Sequence, residues 1–393
     1  MSIKKFIFSK PSQETPSLKP VRNINLDIIR IIAFCFVPSV HFFLHSGFYS
    51  NAIDTPEMKV MLFMRTLFLT CIPLFLLLTG YLQGEKKITP NTKYFLKIGK
   101  FIIPYLIIMF IDLVIINEIL TPSLPTHPDF KPYTTKQYIQ NFTSFTHYSW
   151  YVEMYIGLFL LIPFLNMIWQ NLRTKGQELF LIISLIALTI LPSFFNVYEF
   201  KTEDWLSAAN TSNWKLFPSW WTKIYPLTYY FVGAFMARHK KRLSLNPIVA
   251  LVLFLATWYL SGSYVFRRCE GLTPTIYAFT DYNSPVIFAT GVTLFIFVNS
   301  LPLAKTPNFI RKFVGKLSDL TFGAYLGSWA LDQILYTAYI NKKHSVYEDR
   351  WSSYPLAMLI VIPTAFLIAY FTDLLYRTGK DIFKCNKKQA KTK

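Results

Sequence analysis

Between Leu26 and Leu44 the chain reads LDIIRIIAFCFVPSVHFFL, an apolar run broken by two ionisable side chains, Arg30 and, after ten intervening residues, His41. Eleven positions at about 100° each come within roughly 20° of three full turns, so on a helix both side chains face one way, about 16 Å apart along the axis. Ionisable groups inside a membrane are costly and face a bundle interior or an aqueous cavity, so the stripe points to a binding site. The structural alternative is an arginine that snorkels to the surface and a histidine hydrogen-bonded at a helix contact. Asp27, one turn before Arg30, is placed to pair with it.

Similar apolar runs recur along all 393 residues, with apolar content of 53% and only 16% charged residues. Taking about 20 residues per crossing, the sequence predicts about ten spans, at 24–44, 58–82, 101–120, 149–170, 178–196, 220–237, 246–265, 283–300, 318–340 and 354–375. The expectation is an all-α, multi-pass membrane helix bundle in the cell membrane. A basic arm at 1–22 and a basic tail at 377–393 flank one membrane domain at 23–376. Of the 40 lysines and arginines, 27 lie on the arm, the tail and alternate loops, against 13 on the other loops and inside spans. Such a bias over short loops places both termini in the cytoplasm. The net charge of +19 is spread as short clusters between spans, which is membrane topology rather than a nucleic-acid face. The four cysteines form no disulfide framework, and no metal-ligand cluster or phosphate-cradling glycine loop is present.

Other polar residues fall within or beside the spans. Glu153, three residues after Trp150, is placed either to orient an imidazole, to bind an acceptor, or simply to sit solvated at the interface. Arg65, Asp112 and Asp332 are read as structural pairs inside the bundle. His344 and Asp349 have the spacing of a glycerolipid acyltransferase motif but lie in a short outer loop, and are set aside as chance.

Five segments, taken in order, resemble the acyltransferase-3 family of bacterial membrane acyltransferases. They are the Arg30/His41 pattern; LFLLLTGYL at Leu74 to Leu82; Lys97-Ile-Gly-Lys100 before FIIPYL; Trp150-Tyr151 before YIGLFLLIPFLN; and LSDLTFGAYL at Leu317 to Leu326. The chain departs from the family pattern in two places. Lysines replace the usual arginines at 97 and 100, losing the planar bidentate fork. Gly327-Ser328 stands where many members carry a histidine after Tyr-Leu.

The resemblance implies an acyl-CoA donor, typically acetyl-CoA, reached from the cytoplasm, with no permanently bound cofactor. It also implies a hydroxyl acceptor on a glycan or lipid-linked saccharide at the outer face. Arg30, Lys97 and Lys100 become the donor-binding residues, and His41 the catalytic residue, either as base or as acyl carrier, with Glu153 as its companion. The rival reading is a transporter or flippase for a glycan or its lipid-linked precursor, which would also use an arginine-lined polar path.

Overall fold

A computed structural model describes residues 22–120, 122, 134–143, 147–195, 217–218, 220–240, 245–274, 281–344 and 346–389. Helices dominate: α1 (Ile24–His45), α2 (Pro56–Phe68), α3 (Cys71–Gln83), α4 (Thr92–Phe95), α5 (Gly99–Val114), α6 (Thr135–Thr143), α7 (Trp150–Asn171), α8 (Lys175–Thr189), α9 (Tyr225–Arg238), α10 (Pro247–Cys269), α11 (Pro285–Ser300), α12 (Asn308–Leu335) and α13 (Tyr354–Gln389). Their starts are written in the sequence. Asn23, Thr55, Asn246 and Ser284 cap α1, α2, α10 and α11 through their side chains, with proline at the first helical position in the last three. Thr174 and Gln177 close a reciprocal capping box on α8. Helices α2 and α3 are one apolar stretch broken at Leu69–Thr70, because Pro73 in the first turn of α3 cannot donate backward.

Among the described residues, seven helical stretches are long and apolar enough to cross a membrane: 24–50, 56–83, 92–114, 150–171, 175–195, 247–269 and 348–378. The remaining three expected spans fall on α9, α11 and α12. The first two are only 14 and 16 residues long, about 21 and 24 Å. They tolerate this because protein rather than lipid surrounds them, and most of α9 is buried.

The motif glycines explain themselves here. A Cβ on Gly80 of α3 would lie 1.9 Å from the Tyr230 carbonyl oxygen, and one on Gly233 of α9 would lie 2.1 Å from the Leu77 carbonyl oxygen. The two backbones touch, as small residues allow in membrane bundles. Gly80→Ala is therefore expected to cost about 1–3 kcal/mol of overpacking. Gly157→Ala, whose Cβ would meet nothing within 4 Å, should be neutral. Melting temperatures of the two purified variants check this.

Candidate active site

α1 and α12 run side by side in the same direction, and each polar residue of the α1 stripe meets a partner on α12. Arg30 Nη1 donates to Ser318 Oγ at 3.2 Å. One end further on, His41 Nδ1 is 2.8 Å from Asp332 Oδ2, with Asp332 fully buried and His41 15% exposed. Ser318 and Asp332 are 14 residues apart, within roughly 40° of four turns, so one face of α12 carries both.

Arg30 opens into a cavity of about 330 Å³. Phe75, Leu78 and Phe101 give it apolar wall, while Thr79, Gln83 and Tyr155 bring polar atoms. Among the described residues no carboxylate lies within ion-pair distance of Arg30, so its fork is available to a guest. The expected Asp27–Arg30 pair is corrected: Asp27 accepts two hydrogen bonds of 2.7 Å from Arg22 instead. Arg22 also bonds Asp319 at 2.9 and 3.0 Å. These bonds, to Asp27 first and Asp319 next, raise the Arg22 pKa further above its ordinary value. Asp319 lines the Arg30 cavity and is half-exposed. The start of the membrane domain is thus clasped at the cavity mouth.

The basic pair lies beside the same mouth. Lys97 and Lys100 are both exposed, Lys97 with its Nζ 5.7 Å over the Tyr94 ring. Lys86, on the preceding loop, donates to Gln83 of the cavity wall at 3.2 Å. Burial and then the neighbouring Lys97 charge lower the Lys86 pKa. Two like charges held together in this way favour an anion.

At its far end the cavity is bounded by Val37, Tyr151 and Tyr325. Behind Tyr325 comes Tyr148, stacked on it at 5.4 Å and 12°. The two are clasped by reciprocal bonds, each hydroxyl donating to the other's carbonyl at 2.6 Å. The Tyr148 hydroxyl also contacts the Ser328 hydroxyl. The His41 ring follows at 5.0 Å from that of Tyr148. Arg30, cavity, tyrosine pair and imidazole therefore form one sequence of groups along α1.

Three expectations change. Asp332, read from the sequence as a structural pair, is the carboxylate that holds His41, and Glu153 is not. Glu153 is exposed on the first turn of α7, with no hydrogen-bond or ion-pair partner among the described residues. Asp112 is buried, yet neither of its oxygens has a hydrogen-bond partner, so the expected pairing is absent. His344 bonds Ser353 Oγ at 2.8 Å rather than Asp349, and Arg65 donates to the Tyr49 hydroxyl at 2.7 Å. No group of three or more potential metal ligands is found among the described residues.

A carboxylate can only accept, so His41 Nδ1–H donates to Asp332 Oδ2, and Nε2 is the ring nitrogen outside that bond. The helices define a polytopic helical membrane protein. The chain belongs to the acyltransferase-3 family: that family's model, described as an acyltransferase domain, matches residues 23–371. The protein is thus a membrane acyltransferase. No curated protein and no solved structure matches it.

Proposed function

We propose that the protein is an O-acyltransferase of the cell membrane that moves an acyl group, most simply acetyl, from a cytoplasmic acyl-CoA to a hydroxyl of an extracytoplasmic or lipid-linked glycan. The observation that carries this reading is the pairing of one helix face with another: Arg30 with Ser318 at a cavity, and His41 with Asp332 beyond it. A thioester with an amide arm suits such a cavity, since its carbonyls accept from a guanidinium fork while its methylenes lie on Phe75, Leu78 and Phe101. Lys86, Lys97 and Lys100 offer cations near the mouth to the donor's phosphates. The histidine lies beyond the Tyr148–Tyr325 pair, and in this reading the acyl end of the donor passes that pair to meet the acceptor at Nε2. The direct test is release of free CoA from radiolabelled acetyl-CoA by the purified full chain, with label appearing in an alkali-labile ester on added envelope glycan. Label that never leaves acetyl-CoA would contradict the reading.

Two predictions belong to this reading. If Arg30 grips the donor through its fork, Arg30→Lys keeps the charge and loses the bidentate geometry. The loss of charge-assisted bonds then costs roughly 10- to 100-fold in kcat/KM for the acyl donor. A lysine variant as active as wild type would show that charge alone is needed. The second concerns orientation, which rests on 27 of the 40 basic residues lying on the arm, the tail and alternate loops. In intact cells, Lys87→Cys should resist a membrane-impermeant maleimide and Asp54→Cys should react. The reverse pattern would place the Arg30 cavity on the wrong side for a cytoplasmic donor.

A further inference from the structure

One turn beyond His41, α1 carries a second imidazole. His45 has its ring centroid 6.1 Å from that of His41 and lies on the Tyr336 ring at 5.5 Å and 30°. Neither nitrogen of the half-buried His45 ring makes a hydrogen bond among the described residues. Its surroundings are polar and unsatisfied. Asp332 Oδ1, the Tyr336 hydroxyl, Ser46 Oγ and Asn341 Oδ1 are all buried and all lack a hydrogen-bond partner. Asp332 and Tyr336 sit one turn apart on α12 and the π-helical turn that follows it (Tyr336–Ile340). Asn341 is tied to α1 by its Nδ2, which donates to the His45 carbonyl at 3.1 Å. Buried polar atoms are normally satisfied by protein or water, so a cluster of four orphans marks a place that receives polar atoms from outside. π-helical turns of this kind concentrate at functional sites.

Building on the acyltransferase reading above, we infer that this cluster is the binding site for the acceptor hydroxyl, and that His45 is a second catalytic residue which takes that hydroxyl's proton while His41 carries the acyl group. One imidazole cannot hold an acyl group on Nε2 and take a proton on the same atom; two imidazoles one turn apart divide the work. In the first half-reaction the His41 Nε2 lone pair attacks the thioester carbonyl carbon. The C–S bond breaks, and the sulfur leaves as thiolate, protonated afterwards by water at the cavity mouth. The acyl-imidazolium so formed keeps its Nδ1 proton, and Asp332 Oδ2 balances the charge. In the second, the acceptor O–H gives its proton to His45 as its oxygen attacks the acyl carbon. The C–N bond breaks with its electron pair returning to Nε2, the ester leaves, and His45 passes its proton to solvent. The Tyr336 hydroxyl and Asp332 Oδ1 supply one donor and one acceptor to a polyhydroxylated guest.

The test uses the full chain in detergent, with acetyl-CoA as donor and envelope glycan as acceptor, following free CoA on the millisecond scale and glycan ester at steady state. His45→Gln is expected to release about one equivalent of CoA per protein in a burst. Steady-state ester formation should then be slower by on the order of 10²- to 10⁴-fold. Neutral hydroxylamine should capture the acetyl group as free acetohydroxamate, and mass spectrometry of a parallel sample quenched without hydroxylamine should place the acetyl group on the peptide containing His41. Tyr336→Phe keeps the ring under His45 and removes only the orphan hydroxyl, so it should raise the acceptor KM with the burst intact. A His45→Gln protein that forms ester at the wild-type rate overturns the proposal, as does one that is folded and donor-binding but shows no burst. These results differ from failure of the underlying reading, in which wild-type protein itself would release no CoA.

Discussion

Replacing His41 by alanine is expected to remove acyl transfer, with a loss of at least two to four powers of ten in turnover. A positioned base or nucleophile contributes a factor of that size. The ring is held on one side by Asp332 and packed by Tyr148 on another. Removing it leaves Arg30, Ser318 and the cavity unaltered, so the variant should bind acetyl-CoA with nearly wild-type affinity. His41→Gln separates chemistry from architecture. It keeps a hydrogen-bonding side chain for Asp332 but has no lone-pair nitrogen to take a proton or an acyl group. A structural histidine would tolerate it and a catalytic one would not. Isothermal titration of donor binding beside steady-state turnover distinguishes the two.

Asp332→Asn should come close behind, at about two powers of ten or more in turnover. The amide has nearly the same shape as the carboxylate, but it offers Nδ1 a donor as readily as an acceptor and so favours the wrong tautomer. It also removes the charge that stabilises a positive imidazole. Donor affinity should again be preserved, because Asp332 lies on the far side of the Tyr148–Tyr325 pair from the Arg30 cavity. A second readout separates positioning from mere stability: with Asp332→Asn the pH profile of turnover should change shape, whereas a destabilised but intact site would lose amplitude at every pH. Turnover within threefold of wild type would show that the carboxylate does not act through His41.

Much of this was legible in the sequence, because membrane constraints are strict. The eleven-residue Arg30–His41 spacing names a face, and the face is real: both side chains find their partners on α12. The motif segments were also readable as packing. Gly80 permits the α3–α9 contact, while Phe101, Tyr151 and Tyr325 line the cavity. Partner choice was harder to read. Asp27 is one turn from Arg30, yet it pairs with Arg22, five residues before it and just ahead of α1. What anchors Arg22 there is Asp319 on α12, a second carboxylate that local spacing cannot foresee.

Asp332 was passed over for the same reason. Its link to His41 crosses 291 residues, and Glu153 looked closer because it follows a motif tryptophan. One signal was present: Ser318 and Asp332 share a helical face just as Arg30 and His41 do, and matching the two stripes would have paired them. His45 carried no such signal. A histidine at the end of an apolar helix reads as an interfacial residue until the unsatisfied groups around it are seen.

The most direct measurement of the central claim is made on the glycan itself, in cells that contain equal amounts of wild-type or His41→Ala protein in the membrane. Envelope glycan is purified, its yield determined, and its mass compared before and after mild alkali. The account predicts an alkali-labile mass difference in the wild-type strain that is absent in the variant, with glycan yield unchanged. An ester content in the His41→Ala strain equal to that of wild type would contradict the mechanism.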